Sequence, residues 1–170
     1  MLLTVPGKND AAEVAVLDLS KPKSPVVETT YSTPNCGSGL ALGPSQHLLV
    51  GCEGGKPLII INALTGKMIT AVADTHGADE LWYNAGDNHF YAPSGFSATP
   101  TLSVIDAESG KLISNLPAGP VSHSVAAYSG NNHVFVPIAI PVPQSPTDAC
   151  HVLFGLPEKQ GCIAVYAPEK

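Results

Sequence analysis

The sequence predicts an all-β protein, a β-propeller or part of one, with about four blades of four antiparallel strands. Three observations predict it. A plan of short strands recurs along the chain, with His47, His89 and His133 at matching places, 42 and 44 residues apart. A period in the low forties with four strands per unit is the mark of propeller blades. Gly and Pro number 16 each in 170 residues, and only 13% of residues are charged, which suits many short strands joined by tight turns.

The unit is clearest between Asp79 and Leu116. Asp79 to Asn84 alternates in bulk and ends at the turn-forming run Ala85-Gly86-Asp87-Asn88. His89 to Ala92 is an aromatic-rich second strand, and Ser94 to Pro100 reads as a Gly, Ser and Pro loop. Thr101 to Ile105 is a β-branched third strand. Asp106-Ala-Glu-Ser-Gly110 is a tight turn, since Asp supplies a side-chain bond and Gly a positive φ. Lys111 to Leu116 is the fourth strand. Nothing in this unit places apolar residues at helical spacing over a useful length.

The neighbouring segments repeat the plan. Gly39 to Val50 and Ser122 to Val136 match the first hairpin, and Pro57 to Ile69 matches the second. Upstream, Met1 to Val5, Val14 to Leu19 and Val26 to Tyr31 read as second, third and fourth strands, with a polar loop from Lys8 to Glu13 and a stiff turn at Ser20–Pro25. Downstream, a Pro-rich excursion from Ala139 to Gly161 interrupts the last unit before a third strand at Cys162–Tyr166. The chain is thus read as one domain, 1–170, with blades at 1–34 (partial), 35–74, 75–119 and 120–170, and with an insertion at 139–161. The strand count is three, four, four and three.

Such an arc leaves open strand edges at its ends. Two arrangements would close it. The chain is the C-terminal part of a larger propeller, or two copies join by self-association into a ring. The mid-blade start favours the first. MLLTVPGKND has no basic region followed by a long apolar run, so no secretory leader is read in the chain as given. A periplasmic or secreted location is expected if the full-length protein carries one.

Composition narrows the partners. Net charge is −6, and Lys plus Arg number only eight, so no basic stripe exists and nucleic acid is not expected. No apolar stretch reaches the length of a membrane span. The four cysteines, Cys36, Cys52, Cys150 and Cys162, have no Cys-x-x-Cys spacing and so no zinc-knuckle pattern. Cys36 and Cys52 bracket a hairpin, and Cys150 and Cys162 bracket the excursion. A local disulfide is readable at either, more so at Cys150–Cys162; four idle thiols are the alternative. Bridges would place the protein in an oxidising compartment.

Val104-Ile105-Asp106 with Ser109-Gly110-Lys111, and Ile60-Ile61-Asn62 with Thr65-Gly66-Lys67, are strand-turn-strand units, and Phe90-Tyr91 and Val134-Phe135-Val136 match the aromatic-rich strand that precedes such a unit. They resemble YVTN-type β-propeller repeats, and the resemblance covers most of the chain. That family includes surface and periplasmic binding proteins, and related propellers include lactonases and amine dehydrogenase subunits. The pattern departs at Asn62, where the family has aspartate, and after Tyr166, where the acidic residue is absent. The repeat positions serve turns and packing, so the resemblance implies a fold more than an activity.

Propeller sites sit where loops enter the innermost strands around the central channel. The corresponding segments are Asn35–Gly37, Thr75–Glu80 and Val121–Ser124, with His76 and His123 at equivalent positions. Two imidazoles with the carboxylates of Asp79 or Glu80 could bind a divalent metal or act as acid and base. The plainer expectation is that each His caps its own blade. His47, His89 and His133 read as structural, Trp82, Tyr83, Phe90 and Tyr91 as packing between blades, and Asp18, Asn62 and Asp106 as turn residues. Gly54-Gly55 matches no phosphate-binding fingerprint, and Gly-x-Ser-x-Gly does not occur. No catalytic residue is therefore assigned. The first reading is a non-catalytic propeller presenting a face to a protein or small-molecule ligand; the alternative is a metal-assisted hydrolase of lactonase type at the channel mouth.

Overall fold

The computed structural model describes residues 1–7, 11–52, 55–140 and 148–168. Parts of the 8–13 loop, the Gly54-Gly55 pair and the 139–161 excursion lie outside them. Four antiparallel sheets follow one another. Blade 1 holds β1 (Leu2–Val5), β2 (Glu13–Asp18) and β3 (Val26–Ser32). Blade 2 holds β4 (Leu40–Leu42), β5 (His47–Val50), β6 (Ile59–Asn62) and β7 (Met68–Ala71). Blade 3 holds β8 (Trp82–Asn84), β9 (His89–Ser94), β10 (Thr101–Asp106) and β11 (Leu112–Pro117). Blade 4 holds β12 (Ala126–Tyr128), β13 (His133–Ile138) and β14 (Cys162–Tyr166).

The outer hairpins of blades 2 and 3 are built by one local device, and blade 1 shares its start. Asp18, Asn62 and Asp106 end β2, β6 and β10 at intervals of 44 residues. The Asn62 side-chain oxygen accepts from the Leu64 and Thr65 amides at 3.0 and 3.1 Å. Asp106 accepts from the Ser109 amide and hydroxyl at 2.7 and 2.6 Å. The chain then turns through Gly66 and Gly110 at φ 68 and 69, a conformation that a Cβ disfavours. A bulge sits just before each turn, at Val16/Leu17, Ile60/Ile61 and Val104/Ile105. The shared bulge shows that β1–β3 are the outer three strands of a blade. Blade 4, ending at β14, has the inner three.

Sheets stack face to face through apolar side chains that alternate along each strand. Blade 2 sends Leu49, Leu58 and Ile60 forward onto Phe90, Ala92 and Ile105 of blade 3. Blade 3 sends Tyr91, Leu102 and Val104 onto Val134, Val136 and Tyr166 of blade 4. Blade 1 meets Leu48, Val50 and Ile61 of blade 2 with Leu2, Val14 and Tyr31. Polar bonds cross the same seams: Tyr31 donates to the Leu64 carbonyl at 2.9 Å, His47 Nδ1 lies 2.9 Å from the Ala107 carbonyl, and Tyr166 donates to the Pro117 carbonyl at 2.7 Å.

Several details differ from the sequence reading. Trp82 does not pack between blades; it is 41% exposed on the short inner strand β8, whereas Phe90 is fully buried. β9 runs on through Pro93 to Ser94, because Ser94 still pairs with Thr101. The excursion contains a helix, α1 (Ala149–Phe154), which Asp148 caps by accepting from the His151 amide and Gly155 ends in a left-handed conformation. Both disulfides, Cys36–Cys52 and Cys150–Cys162, are formed. The second ties α1 to β14. Two bridges point to an oxidising, extracellular or periplasmic setting. No helix among the described residues is long and apolar enough to cross a membrane.

Two predictions follow from this packing. Phe90→Ala should cost about 3–5 kcal/mol, by lost burial and the cavity left behind, and Trp82→Ala clearly less, because part of that ring is already in solvent; urea unfolding would measure both. The Ser109 bonds hold the Asp106 carboxyl below its usual range. A depressed carboxyl contributes stability above its unfolded value of about 4 and loses it as pH falls through the folded value. Asp106→Asn, which keeps the accepting oxygen as Asn62 does, should therefore flatten the acid side of the stability–pH curve.

Candidate functional site

The segments leading into β4, β8 and β12 converge at one end of the blades, and a cleft of about 430 Å³ opens where blades 2 and 3 meet. Ser38 and Cys52 line it from blade 2, Ser94 from the end of β9, and Phe96 and Ser97 from the loop that follows. His76, Gly77, Ala78 and Asp79 come from the segment between the two blades. The Cys36–Cys52 bridge therefore stands in the wall of the cleft.

Backbone bonds make the cleft's shape a property of the blade seams. The Gly95 amide donates to the Ser122 carbonyl at 2.8 Å, and the Val121 amide returns a bond to the Gly95 carbonyl at 2.9 Å. A Cβ at Gly95 would lie 2.1 Å from the Ser122 nitrogen, so only glycine lets the two segments approach this closely. Ser94 donates its hydroxyl to the His76 carbonyl, and Ser97 donates to the Ser94 and Thr99 carbonyls. These serines hold the loop that presents Phe96, which is 68% exposed.

Among the four candidate residues, the structure brings together His123 and Asp79. His123 Nδ1 lies 3.7 Å from an Asp79 carboxylate oxygen. The His123 ring stacks on Phe96, with centroids 5.8 Å apart and planes 19° from parallel. His123 thus backs Phe96; its Nδ1 lies beyond hydrogen-bond reach of Asp79 and bonds no backbone group of its blade. Its carbonyl does accept from the Glu80 amide at 3.1 Å, joining blades 3 and 4. His76 is exposed in the cleft, and the Glu80 side chain is exposed outside its lining.

That geometry bears on the metal alternative. A divalent ion held by protein side chains needs about three donors. His123 and Asp79 supply two, and no group of three His, Cys, Asp or Glu side chains is placed to hold an ion among the described residues. The donor set does not fit a divalent metal centre. Phe96, Ser94 and Ser97 were invisible as site residues in the sequence, since they lie in what reads as an ordinary Gly/Ser/Pro loop. The one signal was an aromatic side chain isolated in such a loop.

No family model matches the chain, and no curated protein matches it. Solved structures do. Hydrazine synthase from Kuenenia stuttgartiensis superposes with a TM-score of 0.64 at 15% identity, over 86% of this chain and 43% of that one. A hypothetical selenium-binding protein from Sulfolobus tokodaii gives 0.63 at 12%, over 86% and 40%. Both are β-propeller-type folds, and at these identities the likeness speaks for the fold alone. The chain spans less than half the length of each.

Gly95→Ala tests the seam. It should destabilise the fold by about 1–3 kcal/mol, the usual cost of forcing extra volume into a packed contact. An unchanged denaturation midpoint would show that the two segments are not pinned there.

Proposed function

We propose that the chain is a non-catalytic propeller module that binds a small ligand in the cleft between blades 2 and 3. The observation that carries this reading is the cleft itself. Its volume lies in the range of small-molecule sites, and it combines one exposed aromatic face with a few polar groups that fix orientation. Phe96 offers a flat surface, Asp79 a solvent-facing acceptor, and His76 and Ser38 further hydrogen-bonding groups. A ligand with one flat or apolar face and a donor at its edge suits that set. Propeller-type structural neighbours support the scaffold part of the reading. The lactonase-type alternative has no comparable support, because its donor set is incomplete.

Titrating the chain with choline and glucose in turn, under two-dimensional amide NMR, tests the site. At least one probe should shift the Gly77, Ala78 and Ser97 resonances together. Phe96→Ala or Asp79→Asn should weaken that probe about tenfold, since one stacking contact or charge-assisted bond contributes on the order of 1–2 kcal/mol. Shifts scattered over the surface, or none with any probe, would remove the proposal.

A further inference from the structure

The chain that builds the cleft between blades 2 and 3 carries charge of one sign. From Met68 to Gly110 the sequence holds Asp74, Asp79, Glu80, Asp87, Asp106 and Glu108, and not one lysine or arginine. His76 to Asp79, Ser94, Phe96 and Ser97 all come to the cleft from that stretch. Asp79 is the acidic residue among the described lining residues, and no lysine or arginine is there to offset it. Its side chain is 59% exposed, and among the described residues its one ionic neighbour is His123 Nδ1 at 3.7 Å, beyond hydrogen-bond reach. A cleft whose walls carry one sign of charge concentrates ions of the other.

The lining hydroxyls add to this bias. Ser94 donates its proton to the His76 carbonyl, and Ser97 donates to the Ser94 and Thr99 carbonyls. What both hydroxyls have left is acceptor capacity. Phe96 supplies the complementary apolar part. One face of its ring lies on His123, with planes 19° from parallel. His123 stands outside the cleft lining, which leaves the opposite face of the ring for the cleft. An aromatic face is electron-rich and attracts a cation, and alkyl groups on that cation bury apolar surface against the ring at the same time.

We propose that the ligand of this cleft carries a tertiary or quaternary ammonium group, its alkyl groups against Phe96 and its charge beside Asp79. The proposal rests on the reading of the cleft as a small-molecule site and names the chemical class that the site takes. An anionic ligand would meet the Asp79 charge with no lysine or arginine to offset it. A sugar would also stack on Phe96, but being uncharged it leaves the Asp79 charge unanswered, and its own oxygens would face the acceptors of the wall.

The test compares choline with the neutral alcohol that has carbon in place of the choline nitrogen. Both are titrated into the unaltered chain, with the Gly77, Ala78 and Ser97 amides as the readout. The two share one shape, so the difference between them reads the charge. Choline should bind about tenfold more tightly, and added salt should narrow the gap. Asp79→Asn should bring the two ligands close together. Phe96→Leu, which keeps apolar bulk without the aromatic face, should weaken choline more than the alcohol. Both side chains are exposed, so both variants should keep the circular dichroism spectrum of the unaltered chain. Equal binding of the two ligands to the unaltered chain overturns the proposal, as does a preference for choline that survives Asp79→Asn. Binding of glucose without choline overturns it while leaving the cleft a small-molecule site. Shifts with none of the three ligands overturn both readings.

Discussion

The structure rests on burying flat apolar faces between successive sheets. Each sheet is too small to hold a core of its own, so its three or four strands depend on the apolar face they bury against a neighbour. The seams do this with strand residues of fixed parity. Leu49, Leu58 and Ile60 look forward, while Leu48, Val50 and Ile61 look back. A one-residue slip of any strand would exchange the two sets and spoil two seams at once. Register is therefore held from outside the blade as well as from within it.

The cleft is a by-product of the same constraint. Sheets that pack through their middles diverge at the ends, and the loops there settle into whatever space the seams leave. At blades 2 and 3 the space stays open, and Gly95 lets the β9 loop lie against Ser122 beside it. The stacking of His123 on Phe96 places a side chain from blade 4 behind a cleft formed by blades 2 and 3. Three consecutive units thus contribute to one surface, although none carries a site alone.

How much was legible follows from how local each cause is. The hairpins could be read because Asp106, Asn62 and their Gly partners act within five residues. The blade order could be read because the strand pattern recurs. Helix α1 was missed, since six residues are too few for a period to show, although Asp148 and Gly155 are ordinary start and stop signals. Trp82 was misjudged because burial on an inner strand depends on what lies across the channel, which no local pattern encodes. The meeting of His123 with Asp79 was readable only as equivalent positions in successive blades. The part played by Phe96 depends on where its loop comes to rest.

The cysteines carry a consequence for how the chain matures. Four cysteines allow three pairings, and the native one joins residues 16 and 12 apart in sequence. These are the two shortest loops available, and short flexible loops close at the lowest entropic cost. Each bridge also lies within one repeat and needs no distant strand in place first. Oxidation can accordingly keep step with the emergence of the chain, N-terminal pair before C-terminal pair, and the correct pattern is the one that chance encounter already favours. Such a protein makes little demand on an isomerase to unpick wrong partners.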